Sequence, residues 1–426
     1  MDELQELETQ RLYALFEKYP SVATDSRRAG EGTIFFALKG DRFDGNRFAA
    51  AALDAGAACA VVDDPEVAAQ ADAAYAERIV TVDDTLAALQ ALAREHRRRL
   101  GIPLLAIVGS NGKTTTKELV SRVLAEKYAV YATQGNLNNH IGVPLTLLAM
   151  TRNTELGIVE MGASACGEIA RLCAIAEPNF GLITNVGRAH LEGFGGVEGV
   201  RRGKGELYDY LAAAGGRAFV RRDDATLVRM AAERGNLAVE FYDPAIADGV
   251  GHRLEGEFNR LNVASAIAVG RYFGVDEERI RDAVAAYRPD NNRSQRQRTA
   301  RNTLVVDCYN ANPSSMQASL ANFLGERFDG GKVAVLGDML ELGVWSAAEH
   351  RATIEQALAG DVERLWLVGK EFAAAWRAMG GDDRRVRLFA ACDEAAAALQ
   401  TSPFTGKFIL LKGSHGIGLE RLVEWL

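Results

Sequence analysis

The segment Gly109-Ser110-Asn111-Gly112-Lys113-Thr114-Thr115 combines what binding a phosphate ester requires. Glycines let backbone N–H groups converge on phosphate oxygens, the lysine suits the outer phosphates, and the next hydroxyl suits Mg²⁺. The segment lies between an apolar run, Leu104–Val108, and a helical pattern over 113–127. A strand–turn–helix of this kind aims the loop at a helix amino terminus, whose field favours an anion. Only two residues separate the glycines, where four are common, so the strand and helix on either side carry the assignment. Glu160 follows the apolar run Leu156-Gly157-Ile158-Val159. A carboxylate at the carboxyl end of a buried strand stands at the cleft and can hold Mg²⁺ directly or through water. Nucleotide binding is the expectation.

Three further residues are ambiguous on local chemistry. His190, in Gly187-Arg188-Ala189-His190-Leu191-Glu192, suits a hydrogen-bonded structural histidine and a ligand equally. Lys204, in Arg202-Gly203-Lys204-Gly205-Glu206-Leu207, reads as an exposed lysine near a helix start, where the macrodipole disfavours a cation. Cys308 reads as a small buried residue, since no histidine is partnered with it in the sequence.

The elements that must position these groups follow an α/β rhythm. Strands are predicted at 34–38, 58–62, 104–108, 157–159, 180–183, 303–306, 333–336, 365–368 and 408–411. Helices are predicted at 46–55, 85–99, 113–127, 260–273, 277–287, 314–328, 346–358 and 419–426. The Gly101-Ile102-Pro103 break and the polar stretch 288–296 mark two boundaries. The chain divides there into units 1–100, 101–298 and 299–426, in keeping with 426 residues at about 150 per domain. Repeated strand–helix–strand units favour parallel, doubly wound sheets with ligands beyond the strand carboxyl ends.

Composition narrows the class. With 48% hydrophobic and 25% charged residues, wholesale disorder is excluded. A net charge of −8, from 49 basic and 57 acidic residues, argues against a nucleic-acid partner but leaves room for a small anion in a local pocket. No apolar run approaches the ~18 residues of a membrane span. The acidic start, Met1-Asp2-Glu3, is unlike a signal peptide, and five scattered cysteines suit a reducing compartment. A cytoplasmic location is expected.

Taken together, the loop, Glu160, His190 and Lys204 resemble, in order, the motifs of the Mur ligase family. Thr24-Asp25-Ser26-Arg27, the run from Gly32 to Gly40 and Asp44-Gly45-Asn46 are similar to that family's segments for the UDP part of its precursor. The resemblance continues through Gly135-Asn136-Leu137-Asn138-Asn139-His140, Tyr309-Asn310-Ala311-Asn312-Pro313, Leu336-Gly337-Asp338 and Lys412-Gly413-Ser414. The paired asparagine segments look most like those of members that add D-alanyl-D-alanine to UDP-N-acetylmuramoyl-tripeptide.

The resemblance implies an α/β fold of three domains: a UDP-binding amino-terminal domain, a central P-loop ATPase with a parallel sheet, and a Rossmann-like carboxyl-terminal domain. It implies ATP and Mg²⁺ as cofactors, small-molecule substrates and a monomer. It also implies ATP-dependent amide formation through an acyl phosphate, with Lys113, Glu160, His190 and Lys204 as catalytic residues. The loop, Asn262, Arg293 and Asp307 would bind the nucleotide; Thr114, Glu160, His190 and a carbamylated Lys204 would hold metal. Ser26, Arg27, Lys39, Gly40, Asn46, Asn136, Asn138, Asn139, Asn310 and Asn312 would bind substrates. Three positions depart from the family pattern: Asn292, Val306 and His415. Two other readings are a folylpolyglutamate synthase-like or sibling ligase, and a nucleotide-switched regulatory ATPase.

Overall fold

Alternating buried strands and amphipathic helices build three open α/β units in succession. The computed structural model describes residues 3–69, 72, 74–254, 256–289, 293 and 295–426. The first unit has four parallel strands in the order Ser21–Ala23, Thr33–Phe36, Cys59–Val62, Ile79–Thr81. The two middle strands are buried throughout, as expected when both faces of a parallel sheet are covered. The helix predicted over 46–55 opens instead as a 3-10 turn, Gly45–Phe48, before the α-helix Ala49–Asp54. Asp44 accepts from the Asn46 backbone and side chain, which tightens that first turn.

Helix Thr85–Leu100 starts where Asp84 accepts from the Ala87 amide and stops at Gly101, whose φ of 63° few other residues adopt. Arg97 on this helix is buried and donates to the Ala176 carbonyl and the Asn179 side chain, tying the first unit to the second. One apolar cluster runs through both, joining Leu12, Ile34 and Leu92 to Leu104, Leu147 and Val159.

The central sheet has six parallel strands in the order Ala238–Tyr242, Arg217–Arg221, Phe180–Ile183, Leu104–Val108, Leu156–Glu160, Val130–Ala132. Along Leu104–Val108, alternate side chains enter different cores: Leu104, Ala106 and Val108 one, Leu105 and Ile107 the other. The second core is shared with helices Lys113–Ala125 and Glu257–Tyr272.

The third sheet also has six strands: Gln295–Arg298, Thr303–Asp307, Phe408–Lys412, Lys332–Gly337, Val362–Val368, Val386–Phe389. Gln295–Arg298 runs antiparallel at its edge, so a strand that the sequence division left in the central unit pairs with the third sheet. Its polar sequence suits an edge. The terminal helix is 3-10 rather than α, over Leu419–Trp425. Three residues per turn put Leu419 and Leu422 one above the other, and both are buried. Among the described residues no helix is long and apolar enough to cross a membrane.

Candidate active site

The loop's backbone demands its glycines. A Cβ on Gly109 would overlap the Thr184 hydroxyl, and one on Gly112 (φ 76°) would meet Asn262 Oδ1 at 2.6 Å. The end of the neighbouring strand clasps the loop. Thr184 Oγ1 donates to the Asn111 carbonyl at 2.6 Å, and the Asn111 amide donates to Asn185 Oδ1 at 3.1 Å. Ser110 Oγ accepts from the Gly187 amide at 2.9 Å. Helix Lys113–Ala125 then begins at Gly112 with no side-chain cap, so its first N–H groups are left for a ligand. Lys113 Nζ folds back onto the Gly109 carbonyl at 2.7 Å, and burial lowers its pKa, partly countered by Glu160. Thr114 and Thr115 are buried beside it.

Glu160 is 2% exposed. Its amide donates to Thr133 Oγ1 at 3.0 Å, and its Oε1 accepts from Asn138 Nδ2 at 2.9 Å. Oε2 accepts no hydrogen bond among the described residues; Lys117 Nζ stands 3.9 Å from it. A buried carboxylate oxygen left in this state calls for a cation. Among the described residues no three acidic, histidine or cysteine side chains gather into a metal cage. The donor set therefore fits Mg²⁺, which takes one or two carboxylates together with phosphate oxygens, better than a metal held wholly by protein.

Lys204 overturns its local reading. It lies well inside the long helix Val197–Ala214, not at an exposed start, and is 1% exposed. Its Nζ donates to the Ala163 carbonyl at 3.1 Å and sits 4.9 Å from the centre of the Phe194 ring. Burial, and secondarily the charge of Lys113, lowers its pKa to about 7. His190 adopts φ 51° ahead of the short helix Leu191–Phe194, and its Nδ1 bonds the Glu341 carboxylate from the third unit. That histidine holds Glu341 below the usual carboxylate range. Glu341 was given no role from sequence, although it lies inside the segment Leu336-Gly337-Asp338-Met339-Leu340-Glu341-Leu342-Gly343 that resembles a family motif.

The third unit reaches the loop directly. Asn312 Nδ2 donates to Asn111 Oδ1 at 2.8 Å while its Oδ1 caps helix Pro313–Gly325 through the Ser315 amide. Ser314 Oγ accepts from the Arg188 amide at 2.7 Å. Asn262 accepts from Thr116 Oγ1 and donates to Asn259 Oδ1. The Arg293 guanidinium lies 3.8 Å from the Tyr309 ring centre, and its Nε is buried without a hydrogen-bond partner among the described residues. Asp307 accepts from the buried Lys412 at 2.6 Å. Cys308 is buried and its thiol pKa pushed up by that burial, in line with a packing role. Of the departures, Asn292 lies outside the described residues, Val306 is buried in the sheet, and the His415 ring lies 6.1 Å from that of Tyr309.

Lys113, Glu160, His190, Asn138, Asn139, Asn262, Arg293, Asp307, Asn310 and Asn312 all line one cavity of about 1440 Å³. Gln90 and Arg94 of the first unit line it too. Ser26, Arg27, Lys39, Gly40, Asn46, Asn136, Gly109 and Lys204 do not. Arg27 pairs with Asp25, and Lys39 with Asp63. Asn46 is buried, its amide bonded to Asp44 and Asp63.

Along the chain, models described as "Mur ligase family, catalytic domain", "Mur ligase middle domain" and "Mur ligase, glutamate ligase domain" match residues 18–97, 107–248 and 292–415. The chain is 33% identical to UDP-N-acetylmuramoyl-tripeptide–D-alanyl-D-alanine ligase of Bacillus subtilis, over 95% of this chain and 92% of that one. It belongs to the Mur ligase family. Among solved structures, this Mur ligase resembles MurF from Acinetobacter baumannii, with a TM-score of 0.84 and 29% identity over 98% and 97% of the two chains. It also resembles MurF ligase from Thermotoga maritima in complex with ADP, with a TM-score of 0.80 and 27% identity over 95% and 96%.

Proposed function

We propose that this Mur ligase uses ATP to join D-alanyl-D-alanine to UDP-N-acetylmuramoyl-tripeptide in peptidoglycan precursor synthesis. The observation that carries the reading is the cavity itself. An uncapped phosphate loop, a buried carboxylate oxygen that accepts no hydrogen bond among the described residues and the asparagines of the third unit meet in it. A two-substrate ligation needs that convergence; hydrolysis alone does not.

A precursor carboxylate attacks the γ-phosphorus, ADP leaves, and an acyl phosphate forms. The acceptor amine then attacks the acyl carbon, phosphate departs from the tetrahedral adduct, and the nitrogen gives up a proton as the amide forms. Phosphoryl transfer asks the protein mainly for positioning and charge. Lys113 and the uncapped amides supply both at the phosphates. Mg²⁺, when bound, adds charge neutralisation there, and Thr114, Glu160, His190 and a carbamylated Lys204 are the residues that would hold it.

The environment of Lys204 favours that modification, because a buried amine with a pKa of about 7 is substantially neutral at physiological pH and so nucleophilic toward CO₂. For His190, the carboxylate on Nδ1 keeps the proton on that side and leaves Nε2 as the ligating nitrogen. Asn262, Arg293 and Asp307 are assigned to the nucleotide, and Asn310 and Asn312 to the acceptor. Asn136, Asn138 and Asn139 are assigned to the peptide, and Ser26, Arg27, Lys39, Gly40 and Asn46 to the UDP part. Units 1–100, 101–298 and 299–426 serve as the precursor, ATP and acceptor domains, the strand Gln295–Arg298 going with the last.

Mass spectrometry of products from UDP-N-acetylmuramoyl-tripeptide, ATP, Mg²⁺ and D-alanyl-D-alanine tests the reading. The expected product is the pentapeptide precursor, with ADP and phosphate. Acceptor-independent hydrolysis without ligation would favour a nucleotide-switched regulator, and glutamate addition to a pterin a folylpolyglutamate synthase-like ligase.

A further inference from the structure

The Glu160 carboxylate meets a different neighbour at each oxygen. Asn138 donates to Oε1 at 2.9 Å, while Lys117 Nζ stands 3.9 Å from Oε2. Lys117 lies four residues beyond Lys113 on helix Lys113–Ala125, so the two lysines share one helix face. They differ in access: Lys113 lines the cavity, whereas Lys117 is 4% exposed and does not line it. Lys117 is also held back from the carboxylate. Its Nζ donates to the Thr133 carbonyl at 2.7 Å, and the Thr133 hydroxyl accepts from the Glu160 amide at 3.0 Å. Tethered in this way, the ammonium group is close enough to act on the charge of Glu160 without a hydrogen bond to it. The buried pair Lys412 and Asp307, by contrast, closes to 2.6 Å.

We propose that Lys117 is a built-in counter-charge for Glu160, which keeps a divalent cation off that carboxylate until a nucleotide brings phosphate oxygens to share it. The inference rests on the reading above in which Glu160 holds Mg²⁺. Before nucleotide binds, Lys117 balances the Glu160 charge and repels a metal approaching Oε2, in a site where little water screens the repulsion. Phosphates offset that repulsion, because Mg²⁺ takes their oxygens alongside one or two carboxylates. The lysine thus sets a threshold that metal alone does not pass and metal with nucleotide does. Lys117 is a positioning residue: it acts through Glu160 and lines no part of the ligand cavity.

The test reads Mn²⁺ binding to the full chain without nucleotide, by electron paramagnetic resonance of the free ion, and needs no turnover. Lys117→Met removes the charge; Lys117→Gln removes it but keeps a donor for the Thr133 carbonyl. Either variant is expected to bind Mn²⁺ at least about tenfold more tightly than wild type. Their melting temperatures should fall without metal, since a buried carboxylate loses its counter-charge, and should rise more on adding Mn²⁺ than that of wild type. A purely structural lysine predicts the opposite sign, because loosening Thr133 and Glu160 would weaken the metal. Unchanged or weaker Mn²⁺ binding in a folded variant overturns the inference. So does wild type that already binds Mn²⁺ at micromolar concentration without nucleotide and loses it on Glu160→Gln, a reading that needs neither lysine variant to fold. Adding Glu160→Gln to Lys117→Met should abolish the gain. If the gain survives, the metal sits elsewhere, and the Glu160 assignment fails along with the inference.

Discussion

In the central unit, helix Lys113–Ala125 begins at Gly112, and among the described residues no side chain is seated on its first amides. In the third unit, helix Lys370–Ala378 begins at Gly369 with Asp338 already there, its two carboxylate oxygens accepting from the Glu371 and Phe372 amides at 2.9 Å each. Both helices belong to six-stranded, largely parallel sheets, and both start at the carboxyl edge where such sheets bind ligands. One sheet offers the field of its helix to an incoming phosphate; the other has filled it with a buried side chain. A second difference follows the same line. In the third sheet the adjacent strand ends are bridged by Asp307 and Lys412 at 2.6 Å, whereas in the central sheet one Glu160 oxygen accepts no hydrogen bond among the described residues, its nearest cation being Lys117 at 3.9 Å. Architecture alone therefore does not say which sheet takes the nucleotide. The presence or absence of one carboxylate does.

The largest test of that contrast is Lys113→Ala. It should cut ligation at least ~10²-fold while circular dichroism stays the same, because it removes charge from an open anion site and not from a packed one. Near-normal turnover would refute the loop's role. Lys204→Ala comes next: nearly inactive, with partial recovery on adding short carboxylic acids that replace the missing metal-facing carboxylate. If it ligates normally, Lys204 is a packing lysine held by Phe194 and the Ala163 carbonyl. Asp338→Ala probes the filled helix. It should cost about 2 kcal/mol of stability, leave the KM for ATP unchanged, and make the melting temperature newly sensitive to sulfate. A change in ATP affinity without loss of stability would erase the distinction between the two sheets. Smallest is Asn312→Ala, which removes a helix cap worth about 1 kcal/mol and, in the reading above, raises the KM for D-alanyl-D-alanine but not that for ATP. A purely thermal phenotype would place the acceptor elsewhere.

The phosphate loop and Glu160 were legible in the sequence because their geometry is local: a strand, a few residues and a helix decide it. Lys204 was not. Its burial depends on Phe194 and on a carbonyl 41 residues away, neither of which its neighbours in sequence announce. His190 left two readings open for the same reason, since the carboxylate that bonds it lies 151 residues further on. Asn312, expected from the resemblance as a substrate contact, caps helix Pro313–Gly325 through the Ser315 amide, and its other end holds Asn111, a contact 201 residues away that the sequence does not announce. Polar Gln295–Arg298 shows none of the apolar patterning that marks a buried strand, which is why an edge strand of the third sheet read as linker.

The apolar cluster that runs from Leu12 and Leu92 into Leu104 and Val159 has a consequence for how the gene could be cut. A break after Leu100 would pass through a shared interior and strand two half-cores, each with its oily face in water. A break after Tyr287 would leave that interior whole, parting the third unit from Leu191, Phe194 and Val200, the buried central side chains in its core. The first two units are in this sense one heritable body, and the third is the part that recombination could exchange for a new acceptor.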